Sequence, residues 1–166
     1  MSENITLFHT TNENSAKLMI KNGIGLENND YQNYIKLMCE ELDVPVEKVI
    51  SIFNDFKQDS ECNGSVSFFQ DEKTCMRIAH YGKFGGEWRN LVIERALKRI
   101  ARLKKSPYAK IKHIGKKYLG TDSEPVIVEV SIPVSMIFNK EMIGKKSELY
   151  TMEKVPAKYI VNYKLI

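Results

Sequence analysis

The run Val126-Ile127-Val128-Glu129-Val130-Ser131-Ile132 is the sequence feature that most restricts the fold. Five of its seven residues are β-branched aliphatics, which favour extended backbone. Pro133 follows directly and cannot continue a ladder of backbone hydrogen bonds. This is the clearest strand in the chain, and we expect a sheet to include it.

Other strand and helix patterns surround this segment. Ile5 to His9 and Ser65 to Phe69 each indicate a strand followed by a helix, the first helix capped by Thr11 or Asn12 and the second by Asp71. Apolar residues at helical spacing predict further helices. The remaining predictions are helices at 31–42, 45–56 and 87–105, a basic loop at 106–124, and strands at 147–152 and 159–165. The sequence therefore predicts a single α+β domain over residues 1–166, with a mainly antiparallel or mixed sheet.

Composition narrows the class of protein. With 43% hydrophobic and 28% charged residues, the 166-residue chain is typical of a globular domain. It has no basic n-region at its start and no run of eighteen apolar residues, so we expect neither secretion nor membrane spanning. Cys39, Cys62 and Cys75 are widely spaced and indicate reduced thiols in the cytoplasm. No His or Cys pattern suggests a metal site.

Charge is distributed unevenly along the chain. The segment from Lys83 to Lys117 contains twelve Lys and Arg residues but only two acids, a net charge of +10, whereas the rest of the chain totals −6. Such a cluster attracts phosphate-bearing partners. A solvent-exposed basic helix face is the equally simple alternative.

Glu148 stands out among strand-forming residues. Because side chains alternate along a strand, Glu148, Tyr150 and Met152 should share one face and Leu149 and Thr151 the other. A carboxylate on a half-buried sheet face needs a partner or a chemical role. The alternatives are a functional acid and an exposed acid paired with Lys146 or Lys154.

Three separated pieces, taken in order, resemble the ADP-ribosyltransferase superfamily. They are a strand ending in His9-Thr10-Thr11, a strand Ser65-Val66-Ser67-Phe68-Phe69 followed by Ala79-His80-Tyr81, and a strand bearing Glu148. The arrangement is similar to the branch with diphtheria toxin, the poly-ADP-ribose polymerases and bacterial DNA-targeting enzymes. The resemblance implies a split β-sheet core with helices, and NAD as co-substrate.

The resemblance also implies roles for individual residues. His9 would bind the nicotinamide-side ribose of NAD, and Thr10 or Thr11 would help to hold the dinucleotide. Ser65 and Ser67 would support the nicotinamide pocket, against which Tyr81 would stack. Glu148 would bind the ribose hydroxyls and stabilise the positive charge that develops as nicotinamide leaves. One preorganised carboxylate suits that charge.

Several residues depart from the family pattern. Thr10 follows the histidine where glycine is common, and Ser67 stands where the polymerase-like branch has tyrosine. Ser65-Val66-Ser67 resembles the serine motif of the arginine-type toxins, but that branch has arginine in place of His9. Lys146 replaces the acid or glutamine that arginine-modifying members tend to carry, which disfavours protein arginine as the acceptor.

These observations leave more than one function open. The first hypothesis is a cytoplasmic mono-ADP-ribosyltransferase that cleaves NAD and modifies a nucleic acid or a protein, using the segment Lys83 to Lys117 to attract it. An NAD glycohydrolase would need the same residues. The alternatives without catalysis are a binder of NAD with this fold and a nucleic-acid-binding module built on the basic helix.

Overall fold

The computed structural model describes residues 3–25, 30–58, 65–79, 87–118 and 124–166. Within these ranges the chain has the α+β composition that the sequence predicts. Its strands are β1 (Asn4–Asn12), β2 (Val66–Phe68), β3 (Pro125–Pro133), β4 (Leu149–Thr151) and β5 (Ile160–Leu165). Its helices are α1 (Glu13–Asn22), α2 (Asp30–Leu42), α3 (Val46–Gln58), α4 (Glu72–Ile78), α5 (Glu87–Lys104) and α6 (Tyr108–Tyr118).

The strands form two small antiparallel sheets. The larger has the order β1-β3-β5, and the smaller pairs β2 with β4. As predicted, the run of β-branched residues is a strand, and β3 lies at the centre of the larger sheet. Val126, Val128 and Ile132 pack on one face of β3 and Ile127 on the other, so both faces of this strand are covered.

The two sheets meet beside β1. The backbone groups of Phe8 and Phe69 exchange two hydrogen bonds of 2.9 and 2.8 Å, which hold the end of β2 against β1. A second contact of this kind joins Ile24 to Val155 with two bonds of 2.9 Å. Gly23 makes the second contact possible: its φ of +88° is left-handed, and a Cβ there would lie 2.3 Å from the Val155 carbonyl oxygen.

The buried residues form two large clusters. The sheet cluster contains residues of β1, β2, β3 and β4 with α1, including Leu7, Ala16, Phe68 and Leu149. The helical cluster joins α2, α3, α5 and α6 through residues such as Phe53. In α5, the side chains of Ile93, Leu97 and Ile100 are fully buried. Burying each stabilises the helical cluster by about 1.5–3 kcal/mol.

The prediction of a loop over residues 106–124 was wrong for residues 108–118, where the chain forms α6. Ile111 and Gly115 are buried there, and Tyr108 and Tyr118 pack against the helical cluster. Their spacing is helical, but the intervening lysines obscure it. Gly115 lets α6 approach α5, because a Cβ at this position would lie 2.5 Å from a methyl carbon of Leu97.

The two helices for which the sequence predicts a cap, α1 and α4, agree with prediction. Asn12 caps α1 by accepting a hydrogen bond of 2.8 Å from the Ser15 backbone, and Asp71 caps α4 in the same way through Thr74 at 2.7 Å.

No helix in the described ranges is both long and apolar enough to cross a membrane.

Candidate active site

His9 lies in β1, opposite Val128 of β3, and its partly buried ring reaches towards β2. Its Nδ1 lies 2.9 Å from the backbone carbonyl oxygen of Ser67. A carbonyl only accepts hydrogen bonds, so Nδ1 must carry the hydrogen. The ring also lies 5.7 Å from that of Phe68, centre to centre. These contacts fix the imidazole between the two sheets.

Burial controls the charge of this histidine. It lowers the pKa of His9 below the usual 6.5, outweighing the Ser67 carbonyl and the Glu148 carboxylate, which both favour the charged form. The imidazole is therefore neutral at pH 7. With its hydrogen on Nδ1, the neutral ring keeps a lone pair on Nε2, which can accept a hydrogen bond from a ligand hydroxyl.

Ser67 connects β2 to the glutamate. Its hydroxyl donates a hydrogen bond of 2.8 Å to Oε2 of Glu148, a residue 81 positions further along the chain. Ser67 thus contacts His9 through its carbonyl and Glu148 through its side chain. The structure therefore brings together three residues that the sequence analysis proposed for one site.

Glu148 is partly buried and lies immediately before β4, where the sequence analysis had expected a longer strand. The Tyr150 hydroxyl donates to the same Oε2 at 3.4 Å, so Glu148 and Tyr150 do share a face. The alternative interpretation requires Glu148 to pair with Lys146 or Lys154. In the described part of the chain, Glu148 forms an ion pair with neither. Two hydroxyl donors orient the carboxylate through one oxygen.

Asn139 holds the backbone around the glutamate. Its side-chain nitrogen donates to the Glu148 carbonyl oxygen at 2.9 Å, and its side-chain oxygen accepts from the Tyr150 N–H at 2.9 Å. The Phe138 N–H adds a bond of 2.8 Å to the Tyr150 carbonyl oxygen. Asn139 and Phe138 therefore pair with the β4 backbone as another strand would.

Gln70 organises the loop that leads to Glu148. Its Nε2 lies 2.9 Å from the carbonyl oxygen of Met142 and 2.8 Å from those of Lys145 and Ser147. Its Oε1 accepts a bond of 2.8 Å from the Gly144 N–H. One amide side chain thus contacts four backbone groups of this loop, which spans residues 142–147.

The other residues predicted to bind NAD are not linked to Ser67 and Glu148 by the hydrogen bonds described above. By strand alternation, Thr11 shares the β1 face of His9, whereas Thr10 faces the opposite side; both are buried. The Thr11 hydroxyl has no hydrogen-bond partner among the described residues. Ser65 lies just before β2 and is partly buried. Tyr81, proposed to stack on nicotinamide, lies outside the described residues.

The sequence analysis did not identify Gln70, Asn139 or Tyr150 as part of the site. No motif marks Gln70 or Asn139. The loop groups that Gln70 contacts become its neighbours only when β2 and β4 pair, and the partners of Asn139 are backbone groups 9 and 11 residues further along the chain. Tyr150 could have been found, because it lies two residues from Glu148 on the same strand face.

Within the described ranges, no three His, Cys, Asp or Glu side chains group together so that they could hold a metal ion. What the cluster offers chemically is an oriented carboxylate beside a neutral imidazole. Comparisons with protein-family models, curated proteins and solved structures found no match to this chain.

Proposed function

We propose that this protein is an NAD-dependent mono-ADP-ribosyltransferase. In the proposed reaction the bond between nicotinamide and C1′ of the ribose breaks, and neutral nicotinamide leaves with the bonding electron pair. A nucleophile on a nucleic acid or a protein then forms a bond to C1′ and loses a proton. The fold proposed for this activity is the split-sheet fold of the ADP-ribosyltransferase superfamily.

The observation that carries the proposal is the convergence of His9, Ser67 and Glu148. They come from β1, from β2 and from the residue just before β4, yet hydrogen bonds of 2.9 and 2.8 Å connect them through Ser67. A solvent-exposed acid would not need two hydroxyl donors, and neither donor is a cation that would neutralise Glu148. The arrangement suits an acid that must meet positive charge on a substrate.

Glu148 would act as the electrostatic stabiliser. As nicotinamide departs, positive charge develops on the ribose, and a fixed carboxylate lowers the free energy of that state more than it lowers that of neutral ground-state ribose. Ser67 and Tyr150 hold Oε2, and no described residue donates to Oε1. Oε1 could therefore accept a hydrogen bond from a ribose hydroxyl.

His9 would orient the same ribose. A neutral ring that donates from Nδ1 to the protein can accept from a ribose hydroxyl at Nε2. The sequence resemblance supports a role for Thr11 in holding the dinucleotide, for Ser65 in supporting the nicotinamide pocket and for Tyr81 in stacking on nicotinamide. Thr11 has in addition a buried hydroxyl on the face of β1 that His9 uses.

Nicotinamide release tests this proposal. We would incubate the purified protein with NAD and separate the products by chromatography. We expect release by the wild type and a loss of at least 100-fold in Glu148→Gln, the order expected when one preorganised electrostatic group is removed. Glu153→Gln is the matched control, because Glu153 is exposed five residues further on. Folded wild-type protein that releases no nicotinamide would overturn the proposal.

The fate of ADP-ribose separates the related activities. Free ADP-ribose in the presence of cell lysate or nucleic acid would identify a glycohydrolase, in which water is the acceptor. ADP-ribose covalently attached to a macromolecule would identify a transferase. Binding of NAD without release would indicate a fold that has lost turnover.

A further inference from the structure

Two shallow grooves lie on the surface of the helical cluster and share Arg102 of α5. One, of about 350 Å³, is lined by Lys48 and Arg99 as well as Arg102. The other, of about 400 Å³, is lined by Lys98 and Lys105 together with Arg102. Among the described residues, Asp55 is the only carboxylate that lines either groove. Within the part of the chain that the structure describes, five cations and one acid line the two grooves.

Four of these five cations form no ion pair with another described residue. Arg99 pairs with Asp55 at 3.3 Å. Among the described residues, no ion pair involves Lys48, Lys98, Arg102 or Lys105, which we name the cationic strip. All four are exposed. By contrast, Lys112 and Lys117 of α6 pair with acids. The basic segment thus contains both paired cations and a surface of unpaired ones.

The spacing of the strip suits a chain of phosphates. Lys98 and Arg102 lie four residues apart on one face of α5, about 6 Å along its axis, and Lys105 follows directly after the helix ends. Each strand of a duplex carries one phosphate per about 3.4 Å of helix axis, or about two over this length. Lys98 and Arg102 can thus face about two phosphates, and Lys105 lines the same groove beside them.

Lys105 has an unusual backbone for its residue type. Its φ is +51°, in the left-handed region that glycine adopts with least strain and that often ends a helix. Lysine at this position is therefore unfavourable for the backbone. What it adds is a cation at the edge of the second groove.

Aromatic side chains add little to these grooves. Tyr108 lines the second groove, but its hydroxyl is buried and its ring lies beneath the ammonium groups of Lys98 and Lys112, at 5.6 and 5.7 Å. The ring is thus already in contact with cations, and a base could not stack on its covered face. The surface favours phosphates over bases.

We propose that the cationic strip binds the phosphodiester backbone of nucleic acid and thereby delivers the acceptor of the ADP-ribosyl group. The assignment of nucleic acid as acceptor rests on the proposed function, whereas the binding itself requires neither NAD nor Glu148. Recognition through phosphates predicts little dependence on base sequence.

Fluorescence anisotropy of labelled nucleic acid tests the binding. We would titrate mixed-sequence duplex DNA, single-stranded DNA and single-stranded RNA with wild-type protein, with Lys98→Gln/Arg102→Gln, and with Lys21→Gln/Lys73→Gln as the charge-matched control. Lys21 and Lys73 are exposed and lie outside the helical cluster. The three nucleic acids distinguish which backbone is preferred.

We expect the strip variant to bind at least about 10-fold more weakly than the control variant. The slope of log affinity against log salt should be smaller by about 2, one unit for each lost phosphate contact. Equal affinities and slopes in the two double variants would overturn the proposal. So would wild-type binding to polyglutamate as tight as its binding to nucleic acid, since the strip would then select acidic protein.

A single substitution separates binding from folding. Lys105→Gly relieves the left-handed backbone, so we expect a higher urea midpoint together with weaker nucleic-acid binding. Lower stability with unchanged binding would show that Lys105 is structural. Glu148→Gln should bind nucleic acid like the wild type. Wild-type protein that binds nucleic acid but releases no nicotinamide would count against the proposed enzyme and not against the strip.

Discussion

Replacing Gln70 by alanine should release the loop that leads to Glu148. The amide contacts three carbonyl oxygens and the Gly144 N–H, at 2.8 to 2.9 Å. A typical hydrogen bond contributes about 1 kcal/mol net, and two N–H groups must serve three acceptors. We therefore expect the substitution to lower the free energy of local opening by about 2–4 kcal/mol, which raises the opening constant roughly 30-fold to 1,000-fold.

Hydrogen exchange measured by mass spectrometry can detect this opening. Peptides covering residues 139–150 should exchange faster in Gln70→Ala, and peptides from α5 should not. Gln70→Glu should behave similarly, because its carboxylate can accept from Gly144 but cannot donate to the carbonyls. Asn162→Ala is the control, as Asn162 is an exposed amide of β5. Exchange within 3-fold of the wild type would refute the role assigned to Gln70.

Three further predictions concern the rest of the molecule. The native pKa of His9 lies below 6.5, so the unfolded protein protonates this imidazole at a higher pH than the folded protein does. The stability measured by urea titration should therefore fall as the pH decreases from 6.5 through the native pKa. His9→Gln should remove that part of the pH dependence, and an unchanged pH profile in this variant would contradict the prediction. Gly115→Ala should lower the free energy of unfolding in urea by on the order of 1 kcal/mol, because the cost of overpacking against Leu97 exceeds what alanine gains in helix propensity. A gain in stability would contradict the close packing of α5 and α6. Burial raises the pKa of Cys39 to about 11 and that of Cys75 to about 12. Both thiols should therefore react only slowly with a disulfide reagent at pH 8 until urea unfolds the chain. Rapid reaction of either thiol in the native protein would contradict its burial.

Much of the fold could be predicted from local sequence. β3 follows from its β-branched residues, and α1 and α4 from their caps at Asn12 and Asp71. α6 was missed because lysines separate its buried positions and because Gly115, a poor helix former, lies on the packed face. In α6 tertiary packing outweighs local preference.

The candidate site could be predicted only in part. The meeting of His9, Ser67 and Glu148 was expected from a resemblance, since no local rule brings together residues 58 and 81 positions apart. Gln70 and Asn139 use ordinary amide side chains, and their partners are backbone groups with no sequence signature. The contacts of Gln70 depend on how β4 pairs with β2, and sequence periodicity does not specify this pairing.

The role of Glu148 is tested most directly by measuring NAD binding and nicotinamide release on the same Glu148→Gln protein. Binding would be followed by calorimetry and release in a single turnover with protein in excess. The account predicts that Glu148→Gln still binds NAD but releases nicotinamide at least 100-fold more slowly than the wild type, because the carboxylate stabilises charge that develops only as the bond breaks. Release at the wild-type rate by folded Glu148→Gln would contradict it.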